Sequence, residues 1–154
     1  MIQYLNLTDE VTLLSLHNLQ KKSYKEEAQL IDFYEIPPLL ESLRDLQQCQ
    51  EIFYGYVNSS QLQGAISYKI SQNVLDIHRL MVDPQQFRKG IARTLLSFTL
   101  QQENFKEVIV STAIKNVPAI YLYKKMGFVA TSQRRLTKEL TIQNFKYQKE
   151  IDAF

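Results

Sequence analysis

The chain has few of the residues that mark special classes of protein: one cysteine, four glycines and four prolines among 154 residues. Cys49 alone cannot form an intramolecular disulfide, which favours a reducing compartment. Lys and Arg number 18 against 16 Asp and Glu, an excess too small to predict a nucleic-acid partner. No apolar run approaches the ~18 residues of a membrane span, and the amino terminus is too polar for a secretory signal. We therefore expect a cytoplasmic protein with no membrane or nucleic-acid partner.

The composition that is present is that of an ordinary globular protein, with 45% hydrophobic and 22% charged residues. These values exclude wholesale disorder and collagen-like or coiled-coil sequence. A length of 154 residues fits one domain, so we expect residues 1–154 to fold as a single unit.

Hydrophobic periodicity and turn residues predict an α/β protein with mixed strand directions. The predicted strands are residues 1–7, 51–57, 61–71, 73–82, 108–112, 128–134 and 139–149. The predicted helices are one capped by Asp9 that continues to about residue 31, an amphipathic one after Pro37 and Pro38, and residues 90–104 and 116–126.

Three cations lie where the helix over 90–104 begins: Arg88, Lys89 and Arg93. That end of a helix carries a partial positive charge, so the cluster is unfavourable unless an anion binds there. Gly90 and Ala92 are small enough to let a phosphate approach the backbone. The alternative is a solvated basic turn. No G-x-x-x-x-G-K-[ST] or G-x-G-x-x-G is present, which excludes a P-loop and leaves a dinucleotide-binding turn unsupported.

This segment, VDPQQFRKGIARTLL over residues 82–96, resembles the acyl-CoA pyrophosphate loop of the GNAT superfamily of N-acetyltransferases. The family pattern is Q/R-x-x-G-x-G/A after a strand that ends V-x-P. Gly90 and Ala92 occupy the two small positions, and Phe87 stands at the Q/R position. This departure removes one side-chain contact but leaves the backbone cradle, which depends on the small residues.

A second segment, NVPAIYLYKKMGF over residues 116–128, resembles the family's other acyl-CoA motif, N-x-x-A-x-x-x-Y-x-x-x-G-F. Asn116, Ala119, Tyr123, Gly127 and Phe128 match every fixed position. The resemblance covers roughly residues 51–154. It implies a three-layer fold with a central mixed, mostly antiparallel, twisted sheet of about seven strands flanked by about four helices.

The resemblance also implies acetyl-CoA as co-substrate and a set of roles in acyl transfer. Tyr123 would protonate the thiolate, and the backbone at residues 80–82 would stabilise the oxyanion. His78 lies near the position where many relatives have a carboxylate base, and Asp76 could orient or replace it, with a water chain as another route. The residues expected to bind acetyl-CoA are Leu80, Met81, Val82, Phe87, Arg88, Lys89, Gly90, Ile91, Ala92, Arg93, Asn116, Ala119 and Tyr123.

The sequence gives less information about the amine acceptor than about the co-substrate. Tyr34 and Glu35 precede the proline pair and, with Asp76, would suit a cationic amine. Glu35 could equally cap the helix that begins near Pro37. Polyamines, aminoglycosides, other small amines and protein α-amines or lysines all stay open, and a homodimer is one option for assembly.

Three functions are open at this point. The first is an acetyl-CoA-dependent N-acetyltransferase that moves the acetyl group to a primary amine by direct attack through a tetrahedral intermediate. The second is a non-catalytic acyl-CoA-binding sensor on the same fold. The third, a small basic interaction domain, is disfavoured because both motifs lie at the right element boundaries. We expect a structural role for His17 and no nucleophile role for Cys49, which has no histidine near it in the sequence. We also expect no metal site, since no His, Cys, Asp and Glu residues have ligand spacing.

Overall fold

A computed structural model describes residues 1–149, in which seven strands form one sheet and five α-helices surround it. The strands are β1 (Ile2–Tyr4), β2 (Ile52–Asn58), β3 (Gln61–Ser71), β4 (Val74–Val82), β5 (Glu107–Ala113), β6 (Val129–Arg135) and β7 (Thr141–Gln148). The helices are α1 (Glu10–Ile31), α2 (Pro37–Leu40), α3 (Leu43–Gln47), α4 (Ile91–Leu100) and α5 (Val117–Lys125). None of these helices is long and apolar enough to cross a membrane.

The sheet has the order β1-β2-β3-β4-β5-β7-β6, and only β4 and β5 run parallel to each other. The mixed, mostly antiparallel sheet predicted from the sequence is therefore confirmed. A register shift interrupts the β3–β4 pair, since Ser67 lies opposite Arg79 and Tyr68 opposite Ile77. His78 is thus an extra residue on β4, which bends a strand and re-aims its side chains.

Helix α1 begins where the sequence predicts, because the Asp9 carboxylate accepts a hydrogen bond from the Thr12 N–H at 3.1 Å. Its buried stripe contains Leu13, Leu16 and Leu19 but continues into polar residues, Gln20 and Tyr24. These polar groups lie at core positions of an amphipathic helix, where they need specific partners.

The single amphipathic helix predicted after Pro37 is wrong in one respect, since the structure forms two short helices there. Glu41 is extended, with ψ 135° at the end of α2, and Ser42 caps α3 by accepting a hydrogen bond from the Asp45 N–H at 3.1 Å. A serine hydroxyl at this spacing competes with a continuous helix and starts a new one. The break directs the Glu41 side chain toward the sheet, where it meets Arg79.

Two hydrophobic clusters lie on the two faces of the sheet. One packs α1 against a face that includes Phe53, Ala65 and Met81. The other packs α4 and α5 against the opposite face, which includes Ile66 and Ile77. Neighbouring residues of β3 and β4 thus enter different clusters, as the alternation of side chains along a strand requires.

Strands β4 and β5 pair only over their first residues, from Val74↔Glu107 to Asp76↔Ile109. Beyond this point β4 continues to Val82 and β5 to Ala113 without pairing to each other, while β5 stays paired to β7 along its whole length. The resemblance to the acetyltransferase family implies such a divergence, and the structure confirms it. The diverging ends leave a cleft between the two strands. Beyond Asp76 the β4 edge that forms one side of this cleft has no strand partner.

Candidate active site

The loop before α4 has the backbone conformation of an anion cradle. Gly90 is the N-cap residue with a φ of 77°, and the first helical N–H with an intrahelical partner belongs to Thr94, bonded to the Gly90 carbonyl at 2.9 Å. The N–H groups of Ile91 and Ala92 precede it and are left over at the helix start. Arg88 and Lys89 are exposed beside them. Backbone donors and cations together favour a phosphate.

The edge of β4 that borders the cleft carries backbone N–H donors. The Val82 N–H donates to the Ser23 hydroxyl of α1 at 3.2 Å, whereas the Asp83 N–H donates to the Gln63 carbonyl on the β3 side at 2.9 Å. Alternate N–H groups of a strand point to the same edge, so the Leu80 N–H also faces the cleft. The Tyr24 hydroxyl lies against the backbone of Leu80. Donors two residues apart on a strand are separated by about 7 Å, so one of the two can stabilise an oxyanion there.

Tyr123 is held in place by the way α5 ends. The Phe128 N–H donates to the Tyr123 carbonyl at 2.9 Å and the Gly127 N–H to the Lys124 carbonyl at 3.1 Å, with Gly127 at a φ of 99°. This is the Schellman arrangement, which glycine permits because it has no Cβ. The rings of Tyr123 and Phe128 also touch, with centroids 5.6 Å apart. The motif N-x-x-A-x-x-x-Y-x-x-x-G-F thus fixes the position of the tyrosine ring.

The Tyr123 ring is buried, but its hydroxyl is not fully enclosed by the described residues. Within residues 1–149 no buried side-chain oxygen or nitrogen lacks a hydrogen-bond partner, and the Tyr123 hydroxyl makes no hydrogen bond to another of these residues. The hydroxyl must therefore reach solvent. Burial, and then the negative charge of Glu27, raise the pKa of Tyr123, so the group keeps its proton near neutral pH. A neutral hydroxyl is the state that can donate a proton.

Glu27 is a site residue that the sequence analysis did not single out. Its carboxylate accepts a hydrogen bond from the Asn116 side-chain amide at 2.8 Å, which joins α1 to the start of α5. Burial raises the pKa of this carboxyl, and the hydrogen bond from Asn116 lowers it by less. The available signal was the spacing of Gln20, Tyr24 and Glu27, which places polar residues on the stripe that faces the sheet.

His78 lies between two carboxylates. Its Nδ1 is 3.5 Å from Glu51 Oε2 and its Nε2 is 3.4 Å from Asp76 Oδ2. The contact with Asp76 agrees with the predicted shared face of the strand. The charged neighbour of Tyr123 is Glu27 rather than His78. The structure therefore brings His78 and Asp76 together and places a different acidic group beside the tyrosine.

Arg79, next to His78, is buried at 7% exposure and is held by side chains from three separate segments of the chain. Its guanidinium donates to Glu51 at 3.0 Å, to the Gln20 side chain at 2.8 Å and to the Glu41 carboxylate. Ser67 donates a further hydrogen bond to Glu51 at 2.6 Å. This network fixes the extra residue of β4 and therefore the direction of the strand edge beyond it.

We expect Arg79→Met to lower the free energy of unfolding by about 3–5 kcal/mol, because it leaves two carboxylates buried without their counter-charge. Urea unfolding at neutral pH measures the loss. Arg44→Met is the matched control, since Arg44 is exposed on α3, and it should change the free energy by less than about 0.5 kcal/mol. A loss for Arg79→Met as small as that of the control would contradict this role.

The same network predicts a pH dependence of stability. Burial raises the pKa of Glu51, but hydrogen bonds from Arg79 and Ser67 outweigh it and hold the pKa below 4.5. A carboxyl with a lowered pKa stabilises the folded state above its unfolded pKa, and this contribution is lost as pH falls through the folded value. The free energy of unfolding should therefore fall below about pH 4.5, more steeply in the parent chain than in Glu51→Gln. Equal slopes would contradict the assignment.

Other predicted residues lie apart from this cluster. Tyr34 and Glu35 are exposed between α1 and α2, and Ile36, not Glu35, occupies the N-cap of α2, without a side-chain hydrogen bond. This removes capping as the explanation of Glu35. His17 contacts the Glu41 carbonyl at 2.8 Å, and burial raises the pKa of the Cys49 thiol. No group of three His, Cys, Asp or Glu side chains that could hold a metal occurs in residues 1–149.

Comparisons with known proteins agree with this geometry. The model of the acetyltransferase (GNAT) domain matches residues 20–149. The UPF0157 protein YqkA of Bacillus subtilis is 35% identical over 146 residues, which are 94% of this chain and 43% of YqkA. The chain thus spans less than half the length of this relative.

Two solved structures share the fold. The ribosomal-protein-S18-alanine N-acetyltransferase of Escherichia coli superimposes with a TM-score of 0.79 at 15% identity, over 99% of this chain and 96% of that one. The PaiA N-acetyltransferase of Thermoplasma acidophilum, in complex with coenzyme A, gives 0.71 at 21% identity, over 96% and 98%. With the family match over residues 20–149, these findings identify the chain as a member of the GNAT acetyltransferase family.

Proposed function

We propose that this chain transfers the acetyl group of acetyl-CoA to a primary amine by direct attack through a tetrahedral intermediate. The observation that carries the proposal is the divergence of β4 and β5 beyond Asp76, which leaves the β4 edge without a strand partner, together with a buried tyrosine whose hydroxyl has no hydrogen-bond partner among residues 1–149. Acyl transfer from a thioester needs these two groups: a donor for the developing oxyanion and a proton for the departing sulfur.

The start of α4 and the cleft fit the two ends of acetyl-CoA. The pyrophosphate would lie on the backbone of residues 88–92, where a glycine with positive φ turns the chain and where no neighbouring atom lies within 4 Å of the place of a Gly90 Cβ. Arg88, Lys89 and Arg93 are exposed around it and supply positive charge. The co-substrate, when bound, supplies the activated acetyl group.

The chain's own groups divide the remaining tasks. One N–H of the β4 edge, that of Leu80 or of Val82, would stabilise the oxyanion, with the Tyr24 or the Ser23 hydroxyl giving up its contact there when the cleft is occupied. Tyr123 would donate its proton to the sulfur. His78, oriented by Asp76, is one candidate base, Asp76 itself or a water chain is an alternative, and Glu27 is a further candidate.

A thiol-release assay over a panel of amines tests the function. The panel contains spermidine, an aminoglycoside, a peptide with a free α-amine and no lysine, and an amino-terminally blocked lysine peptide. We expect acetyl-CoA to bind and at least one amine to release free thiol together with the N-acetylated product. Binding of acetyl-CoA without thiol release from any amine would instead favour the non-catalytic sensor.

The acceptor subsite, location and assembly stay predictions. Tyr34, Glu35 and Asp76 are proposed to face the amine, and the first two are exposed in the structure. A cytoplasmic location is proposed because the single cysteine cannot form an intramolecular disulfide. A homodimer can be tested by sedimentation.

A further inference from the structure

Glu27 is a half-buried titratable group on the face of α1 that packs toward the sheet. One of its oxygens is held by the Asn116 amide at 2.8 Å. The orientation of that amide is fixed, because Asn116 Oδ1 accepts a hydrogen bond from the Ala119 N–H at 3.2 Å as the N-cap of α5. The NH₂ end must therefore point at Glu27. The carboxylate is positioned by a residue of the acyl-CoA motif.

Glu27 lies near groups on both sides of the cleft. It lies one helical turn from Ser23, whose hydroxyl contacts the Val82 N–H on the edge of β4. On its other side its charge acts on Tyr123 of α5. One turn of α1 thus connects the proposed oxyanion donors with the proposed acid.

One carboxylate oxygen of Glu27 is accessible to solvent. Asn116 holds Oε1, and Oε2 has no hydrogen-bond partner in the described residues. Since no buried side-chain oxygen in residues 1–149 lacks a partner, Oε2 must reach solvent. A carboxylate with one oxygen anchored and the other accessible has the geometry of a base. At His78, by contrast, both ring nitrogens already face carboxylates.

We propose that Glu27 takes the proton from the acceptor amine, with Asn116 as its positioning residue. The proposal rests on the proposed acetyl transfer and adds a residue to it. The titratable and polar groups that face Glu27 are Tyr24 of its own helix and Asn116 and Tyr123 of α5, and Arg79 of β4 acts on Tyr24.

Glu27 and Tyr123 take up the two protons that the acceptor ammonium loses. The ammonium gives one proton to the Glu27 carboxylate, and the neutral amine nitrogen then forms the C–N bond. The C–S bond breaks, and the thiolate takes the Tyr123 proton. The remaining extra proton on the new amide nitrogen restores the Tyr123 hydroxyl, and Glu27 releases its proton to solvent, so that one proton leaves per turnover.

The electrostatics of the cluster suit this order of events. Burial raises the pKa of Glu27, which brings a carboxyl closer to the pH at which a base works best. The charge of Glu27 contributes to the raised pKa of Tyr123. When Glu27 accepts a proton, that charge disappears and the tyrosine becomes a better donor. The base and the acid are therefore coupled through a charge in the same cluster.

Glu27→Gln tests the proposal, because glutamine keeps an oxygen for the Asn116 amide but cannot take a proton. With the amine of the panel that has the highest kcat/KM, we expect kcat to fall on the order of 10²-fold or more. Acetyl-CoA affinity by calorimetry should be unchanged. The acidic limb of the kcat/KM profile should disappear, and an amine that is already uncharged at neutral pH should lose much less rate. Glu26→Gln, on the exposed side of α1, is the matched control.

The outcomes separate this proposal from the function itself. An active parent chain with a normal rate and pH limb in Glu27→Gln would overturn the role of Glu27 alone. Loss of the limb in His78→Ala with its retention in Glu27→Gln would assign the base to His78 and also overturn the proposal. A parent chain that acetylates no amine of the panel would overturn the acetyltransferase function and this proposal together.

Discussion

Tyr123→Phe should lower kcat on the order of 10²-fold while leaving acetyl-CoA affinity nearly unchanged. The hydroxyl makes no hydrogen bond within residues 1–149, so its removal leaves no partner unsatisfied. The ring, which packs against Phe128 and Phe145, stays in place. The hydroxyl acts only when charge develops on the sulfur, and the loss should therefore appear in turnover.

Tyr121→Phe is the matched control for this substitution. Tyr121 lies on the same helix with 67% of its surface exposed, and its hydroxyl has no role in the account. Steady-state kinetics and calorimetry on both variants separate the two residues. A Tyr123→Phe enzyme that turns over at the rate of Tyr121→Phe would remove Tyr123 from the mechanism.

Gly90→Val should abolish acetyl-CoA binding, the second large effect. Nothing lies within 4 Å of the place of a Cβ at Gly90, so the substitution creates no clash in the free chain. The added atoms would stand where a phosphate approaches, and the φ of 77° is unfavourable for a β-branched residue. Calorimetry with acetyl-CoA measures the loss.

Backbone strain needs its own control here. Asn104 has a φ of 79° in a loop that belongs to no proposed site, and Asn104→Val imposes the same kind of strain at a distance from the cradle. We expect Asn104→Val to lose some stability and to keep acetyl-CoA affinity. An acetyl-CoA affinity that is unchanged in Gly90→Val would contradict the assignment of the phosphate site to this loop.

Much of the fold could be predicted because its signals are local. Asp9 caps α1 three residues before its donor, and Gly127 ends α5 at the position that the turn requires. Strands β2, β3 and β4 follow one another closely along the chain, and each pairs with the next. Helix caps and short strand connections depend on residues that are close together in the sequence, and so do the two acyl-CoA motifs.

The groups that the sequence did not reveal depend on contacts between distant residues. Glu41 and Arg79 meet only because α2 ends where Ser42 starts a new helix. Glu27 meets Asn116 across 89 residues of chain. No periodicity links such pairs, since their contact is decided by how α1 packs over the sheet. The sequence indicates His78 as a candidate base from its place on β4, but it contains no signal for the register shift beside it.

A structure of the complex with a non-transferable analogue, in which a methylene separates the sulfur from the acetyl carbonyl, tests the central claim most directly. We expect pyrophosphate oxygens on the Ile91 and Ala92 N–H groups and the carbonyl oxygen on the N–H of Leu80 or Val82, with the Tyr24 or Ser23 hydroxyl displaced from that donor. The sulfur should lie within hydrogen-bond distance of the Tyr123 hydroxyl. An analogue bound away from the cleft between β4 and β5, or with its sulfur out of reach of Tyr123, would contradict it.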